Sequence, residues 1–343
     1  MDKTMQSLPT IDFRLTDVAK QPDRLERLRG LLADHGLGLD ADITLFVEAW
    51  SGLKLVGCAG LAHNVIKCVA VDKQLRGANL STRLLAEVEH LALEQGHFHL
   101  FLCTKPANRE HFEQCGFWPI AQSGDDAILM ENTPAGVDRY CRSLLSYRHE
   151  GKRVGAIVMN ANPFTLGHYH LITQAAKQCD WVHLFVVRED ASFFPFHARL
   201  QMVRAGVANL ANVTVHEGSK YIISRATFPT YFLKESGKVQ QAWSEIDVIT
   251  FRDHIAPALG ITHRFIGTEP FCQISRQYNQ TLHDLLAGTI DVVEIPRIKD
   301  ADKSISASEV RRLLQQQLFS RIRKIVPEST LAYLETHYSA EVA

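Results

Sequence analysis

The chain has 343 residues and is 46% hydrophobic, enough to bury cores in about two domains. Its 37 Lys and Arg offset 38 Asp and Glu to a net charge of −1, which excludes the basic field expected of a nucleic-acid binder and the cationic patch expected at an anionic membrane. No stretch approaches the ~20 apolar residues of a membrane span, and the opening MDKTMQSLPTIDFRL lacks the apolar segment of a secretion signal. The seven cysteines are scattered without a CxxC pair, so a cytoplasmic protein with free thiols is expected, acting on small molecules or another protein.

Residues 1–148 read as a first domain. The runs Ile43 to Glu48 and Leu53 to Ala62, separated by Trp50, Ser51 and Gly52, predict a hairpin. A third run, Ile66 to Val71, leads into Asp72-Lys73-Gln74-Leu75-Arg76-Gly77-Ala78-Asn79. Leu80, Leu84, Leu85, Val88, Leu91 and Ala92 then recur at helical spacing. A strand, a glycine-containing loop and a helix start together offer unpaired backbone N–H groups to an anion. These residues resemble the GNAT acetyltransferase family, whose Gln/Arg-x-x-Gly-x-Gly/Ala loop grips the pyrophosphate of coenzyme A. The resemblance implies that Gln74, Arg76, Gly77, Ala78 and Asn79 hold an acyl-CoA-like arm, with Asn79 standing where Gly or Ala is usual. A strand, His99 to Cys103, follows, and Asn108 with Phe112 to Phe117 resembles the family's later motif. A tyrosine that protonates the leaving thiolate often stands at the position of Phe112, which has no proton to give. The expectation is a bound arm rather than ordinary amine acetylation.

Polar segments at Thr133 to Gly136 and Arg148 to Lys152 flank a short helical stretch, Val137 to Tyr147, and residues 149–343 form the second domain. Here strand-like runs at Val154 to Met159, Trp181 to Val187, Val213 to His216, Ile246 to Thr250, His263 to Gly267 and Ile290 to Ile298 alternate with helical patterns such as Leu171 to Cys179 and Ala198 to Leu210. The alternation predicts a Rossmann-like, doubly wound parallel sheet with its site at the carboxyl ends of the strands.

The first run passes into Asn160-Ala161-Asn162-Pro163-Phe164-Thr165-Leu166-Gly167-His168, where Pro163 stops the strand and a helix begins. Gly167 lets a phosphate approach the backbone, and His168 can donate a ring N–H to it. Thr165 and His168 also suit an N-cap and a polar helix residue. Late in the chain, Ile305-Ser306-Ala307-Ser308-Glu309-Val310-Arg311 opens a helix predicted over Ser308 to Leu318, with Ser306 and Glu309 spaced as a capping box. A capped helix start still presents free N–H groups, so Ser306, Ser308 and Arg311 can also serve phosphates. The two stretches resemble the signatures of the nucleotidyltransferase superfamily, His/Thr-x-Gly-His and Ile-Ser-x-Ser/Thr-x-x-Arg, in matching order and separation. The resemblance implies Thr165, His168 and Arg311 as catalytic residues and Asn160, Asn162, Phe164, Gly167, Ser306 and Ser308 around the nucleotide. Gly267, Thr268 and Glu269, after a later strand, fall where the superfamily commonly holds adenine or ribose.

Arg188, Arg199 and Lys303 are further phosphate candidates, with solvated surface charge as the default reading. The segments Ser192 to Phe196 and Thr227 to Tyr231 could wall an apolar pocket or pack in the core. Pairs such as His97 with His99 and His168 with His170 lack a third ligand, and HExxH is absent, so no protein metal site is expected.

A GNAT-like domain followed by this nucleotidyltransferase domain resembles the citrate lyase ligases over essentially the whole length, most specifically at NANPFTLGHYHLI and KSISASEVR. The resemblance implies ATP- and Mg²⁺-dependent acetylation, by acetate, of the prosthetic-group thiol on the citrate lyase acyl carrier subunit, with release of AMP and diphosphate. A sister ligase for the malonate decarboxylase carrier, an adenylyltransferase acting on a phosphate monoester such as phosphopantetheine, and a non-catalytic sensor of acyl-CoA or nucleotide are the alternatives.

Overall fold

A computed structural model describes residues 10–75, 79–188, 192–222, 236–270, 272–300 and 303–339. The chain divides into two compact units, residues 1–136 with 229–242, and residues 137–228 with 243–343.

The first unit carries seven strands: β1 (Asp12–Asp17), β2 (Leu45–Ser51), β3 (Lys54–Ala62), β4 (Val65–Val71), β5 (Phe101–Thr104), β6 (Trp118–Ser123) and β7 (Ala127–Glu131). They form one sheet in the order β1-β2-β3-β4-β5-β7-β6. The β2–β3 turn is made by Gly52, whose φ of 61° is one that glycine adopts without strain. Helix α1 (Arg24–Asp34) places Leu28 and Leu32 against Phe46 and Cys58. Helix α2 (Leu80–Glu94) sets Leu84, Leu85 and Val88 into a second cluster with Leu102 and Phe117. The short α3 (Arg109–Gln114) adds Phe112 to that cluster. Strands β4 and β5 are the parallel pair of this sheet, and their ladder is Val65 opposite Phe101 and Ile66 opposite Leu102.

The second unit opens with α4 (Gly136–Leu144) and a turn of 3₁₀ helix at Leu145–Tyr147. Its five strands, β8 (Val154–Met159), β9 (Trp181–Val186), β10 (Val213–Glu217), β11 (His263–Gly267) and β12 (Asp291–Ile295), form a parallel sheet ordered β10-β9-β8-β11-β12. Five of the six residues of β8 are buried, as the unbroken apolar run of a central parallel strand requires. The order reverses between β8 and β11, so a crevice opens beyond their carboxyl ends.

Helices α5 (Leu166–Gln178), α6 (Phe196–Val207), α10 (Ala307–Gln315) and α12 (Glu328–Tyr338) bury Ile172, Met202, Val310 and Leu331 in one core with Ile157 and Phe265 of the sheet. Arg264, one residue from Phe265 and so directed to the other face, lies 4.6 Å from the ring of Phe251. Phe251 begins the π-helical turn, Phe251–Ile255, that joins α7 (Ser236–Thr250) to α8 (Ala256–Leu259). The run Ile246 to Thr250, expected to be a strand, is therefore the end of α7. Ile246, Asp247, Val248 and Thr250 are all buried, and burial on several sides hides the helical period while the β-branched residues imitate a strand. Helix α9 (Gln273–Leu286) joins β11 to β12. A small hairpin of β13 (Lys299–Asp300) and β14 (Lys303–Ser304) leads into α10, and α11 (Phe319–Ile322) precedes α12.

Phe164, in the loop after β8, is fully buried against α6. A Cβ added at Gly206 would lie 2.7 Å from Cδ1 of that ring and closer still to Cε1. Gly206→Ala is therefore expected to lower stability by roughly 1–3 kcal/mol, through overpacking beside the loop that carries the site. Urea unfolding followed by far-UV circular dichroism measures it, and an unchanged midpoint would count against this packing.

Candidate active site

Beyond β8 the chain turns sharply, with Ala161 at φ 50° and a cis peptide between Asn162 and Pro163. Thr165 is extended, at φ −122° and ψ 167°, and caps α5. Its backbone N–H donates to Nδ1 of His168 at 3.0 Å, its hydroxyl lies 2.9 Å from the same nitrogen, and the hydroxyl oxygen accepts the N–H of His168 at 3.4 Å. Since Nδ1 accepts from a peptide N–H, a neutral imidazole must carry its proton on Nε2. Burial pushes the ring's pKa down to about 4, with the charge of Arg297 as a second cause. His168 is thus a neutral Nε2–H donor at pH 7, steadied by a parallel stack on Phe164 at 5.9 Å.

The first turn of α5 leaves an anion position open. The N–H of Leu166 is taken by the carbonyl of Ile325 at 3.0 Å, but that of Gly167 has no protein partner among the described residues. A Cβ on Gly167 would meet the Ile305 carbonyl and the Thr165 hydroxyl at 3.5 Å each, an ordinary contact, so packing alone does not demand glycine there. Ile305 immediately precedes the start of α10, and the same distance therefore places the two helix N-termini side by side. At that second start Ser306 is the N-cap, its hydroxyl accepting the N–H of Glu309 at 3.2 Å, while the N–H groups of Ala307 and Ser308 have no protein partner among the described residues. The Glu309 carboxylate is engaged by Arg312 at 2.6 and 2.9 Å.

Arg311 fastens the two motifs together. It donates to the carbonyl of Asn162 at 2.5 Å and to the Ser308 hydroxyl at 3.1 Å. Three free amides, one neutral imidazole donor and one guanidinium are thereby gathered, a set of fixed donors suited to a polyphosphate.

Other expected site residues divide by burial. Asn162 builds the loop, its side-chain oxygen accepting the N–H of Phe194 at 3.1 Å, and Asn160 is exposed and bonded to Ser192 at 3.0 Å. Thr165 is 1% exposed and its hydroxyl is consumed inside the cap, which gives it a positioning role. Arg199 is fully buried, donating to the carbonyls of Phe194, Asn160 and Val187 at 3.1, 2.8 and 2.7 Å. It clamps the loops after β8 and β9 from beneath and is not presented to a phosphate. Arg188 is exposed at the end of β9. Phe194 is core, stacked edge-on against Tyr338, whereas Phe193 is 47% exposed. The side chain of Lys303 and the segment Thr227 to Tyr231 lie outside the described residues.

In the first unit, Gln74 is exposed and its N–H donates to the Asp72 carboxylate at 2.9 Å. Asn79 has φ 52°, a left-handed conformation that asparagine tolerates better than most residues. Arg76, Gly77 and Ala78 lie outside the described residues. Phe112 is buried, edge-on to Phe117 at 6.5 Å.

Sequence reasoning missed Arg297. It follows β12 and donates through Nε to the carbonyl of Thr268 at 2.7 Å and through a terminal nitrogen to the carboxylate of Glu269, just past β11. A charged residue near the end of the apolar run Ile290 to Ile298, at the sheet's carboxyl edge, was the signal available. Gly267 ends β11, its carbonyl accepting from Asn279 at 3.1 Å. Among the described residues no group of three or more His, Cys, Asp or Glu is placed to hold a metal ion, and no helix is long and apolar enough to cross a membrane.

A parallel sheet in this order, with a Thr-x-Gly-His helix start joined to a Ser-x-Ser-x-x-Arg helix start, defines a nucleotidyltransferase-type domain, here following an acetyltransferase-type sheet. Residues 36–128 match the acetyltransferase (GNAT) domain, and residues 154–334 match the citrate lyase ligase C-terminal domain. The chain is 49% identical over 330 residues to the citrate (pro-3S)-lyase ligase of Klebsiella pneumoniae, covering 95% of this chain and 96% of that protein. It is 45% identical over 318 residues to that of Escherichia coli K12, covering 91% and 90%. It is 43% identical over 325 residues to that of Haemophilus influenzae, covering 93% and 97%. The chain belongs to the citrate lyase ligase family.

Burial also pushes His183 and His216, hydrogen-bonded to each other at 2.9 Å, down to about 3 and about 4. These histidines and His168 protonate more readily in the unfolded chain, near pH ~6.5, so the unfolded state binds more protons between that pH and about 4. Stability is expected to be level above pH 7 and to fall as pH drops through this window, with His168→Gln shallowing the fall. Urea midpoints across pH 4–8 test it, and an equal slope in the variant would contradict a neutral His168.

Proposed function

We propose that this chain acetylates the prosthetic-group thiol of the citrate lyase acyl carrier subunit in the cytoplasm, consuming acetate and ATP and releasing AMP and diphosphate. An acetate oxygen attacks the α-phosphorus, and the bond to the β-phosphate breaks as diphosphate leaves. The carrier thiolate then attacks the acetyl carbonyl and expels AMP, the thiol proton going to solvent. The observation that carries this reading is the side-by-side placement of two helix starts with free amides beside a neutral His168. Charge in such a transfer develops on phosphate oxygens, and fixed donors stabilise it without reorganising.

In this scheme Nε2–H of His168 and the amide of Gly167 meet the phosphate oxygens, Thr165 sets the imidazole's tautomer, and Arg311 with the amides of Ala307 and Ser308 receives the diphosphate side. Gly267 and Thr268 border the nucleoside. Mg²⁺ enters as the MgATP substrate, where it would neutralise phosphate charge while keeping most of its waters, so few protein ligands are needed. The first unit holds the coenzyme-like arm through Gln74 to Asn79. The absence of a hydroxyl at Phe112 supports this reading, since a phenylalanine there has no proton to give a leaving thiolate.

Product analysis with MgATP, acetate and a thiol-bearing carrier is the test. Acetate-dependent AMP and diphosphate are expected, and a stable adenylylated product would point instead to a transferase with a phosphate-monoester acceptor. Citrate lyase and malonate decarboxylase carriers compared side by side identify the partner. His168→Ala is expected to slow AMP formation by about 10²–10³-fold. Asn79→Val, strained at a left-handed φ, is expected to raise KM for the carrier while acetyl adenylate, trapped with hydroxylamine, forms at the normal rate. Loss of both activities together would exclude a docking role for that loop.

A further inference from the structure

We propose that Arg297 contacts the α-phosphate of the nucleotide, aimed by Thr268 and Glu269 so that its one unengaged terminal nitrogen faces the crevice at the ends of β8 and β11. The proposal rests on the nucleotide-binding reading above and adds a residue that neither motif supplies.

The geometry of the anchor comes first. Arg297 donates its backbone N–H to the Thr268 hydroxyl at 3.3 Å, Nε to the Thr268 carbonyl at 2.7 Å and one terminal nitrogen to Glu269. The Glu269 side chain is 8% exposed, and its other oxygen accepts the N–H of Cys272 at 3.1 Å, so the carboxylate is fixed at both ends. Arg276 of α9 also holds this loop, through the carbonyls of Glu269 at 3.3 Å and Pro270 at 2.7 Å. A guanidinium pinned along one edge by a carbonyl and a buried carboxylate has little rotational freedom left.

What remains is directed. The second terminal nitrogen of Arg297 has no partner among the described residues, and the side chain is 33% exposed. Arg199 differs on both counts, being fully buried with its donors spent on carbonyls. Gly267 and Ile295 pair in register, and the amide of Thr268 donates to the Ile295 carbonyl at 3.0 Å, so Arg297 stands at the sheet's carboxyl edge on the β11 side of the switch point. His168 stands on the β8 side, near enough to feel the charge. The paired helix starts and Arg311 already serve the leaving diphosphate. The phosphorus under attack, whose non-bridging oxygens gain charge as acetate arrives, needs a cation that does not move, and Arg297 is held ready for that.

Calorimetric titration of wild type and Arg297→Gln with AMP and with adenosine separates this role from a structural one. The wild type is expected to prefer AMP. Arg297→Gln is expected to lose about tenfold or more of that preference while adenosine affinity stays within about twofold. In turnover, Arg297→Lys is expected to lower kcat for acetate-dependent AMP formation about 100-fold while KM for ATP changes less than about threefold. Equal weakening of AMP and adenosine would make Arg297 a loop staple and overturn the proposal, as would a wild type without AMP preference. Should the wild type bind AMP through Arg297 but make none from acetate, the ligase reading falls and this assignment stands. Should acetate-dependent AMP form normally while Arg297→Gln keeps the full AMP preference, the reverse holds.

Discussion

The second unit depends on one tie between distant parts of the chain, the hydrogen bonds of Arg311 to the carbonyl of Asn162 and to Ser308. A helix start with free amides is a common feature and binds anions weakly by itself. Two of them beside each other form a cradle, but each brings a positive dipole end, and the pair resists approach until an anion enters. A long side chain spanning from one motif to the carbonyl of the other opposes that resistance. The contact of Leu166 with Ile325 helps, because it spends one amide of α5 on the segment before α12.

Within that cradle, Thr165 settles a question of chemistry through local geometry. A histidine beside a phosphate site would ordinarily gain a proton and act as a cation. Here the peptide N–H of Thr165 points at Nδ1, which a protonated ring could not accept, and burial removes the solvation a charged ring needs. The ring is consequently a directional donor, and the positive charge nearby is left to guanidinium groups. Phe164 contributes by filling the space beneath the ring, and the glycine at 206 exists so that Phe164 can lie there.

Much of this was legible because it is local. The apolar run Val154–Met159 ended as expected, and the caps at Thr165 and Ser306 stand where hydroxyl residues precede helical periodicity. What failed to show in the sequence depended on neighbours. Ile246 to Thr250 reads as a strand only until α7 is seen buried on several sides, and Arg199 resembles a surface cation until three carbonyls surround it. Arg297 and Glu269 lie 28 positions apart and meet only because β11 and β12 are adjacent and in register. Pair spacing of that kind carries no signal in a single sequence.

The first unit shows the same principle in reverse, since its sequence departs from its family pattern at two places with different physical consequences. Asn79 stands where Gly or Ala is usual in the motif it resembles, and its φ of 52° is a left-handed conformation that asparagine tolerates better than most residues. Phe112 keeps the volume expected of a tyrosine ring and loses the hydroxyl, and the ring is buried in the core with Phe117. A ring without a hydroxyl cannot act as an acid, so Phe112 offers the first unit packing and no proton, whereas the free amides around His168 give the second unit a set of fixed donors.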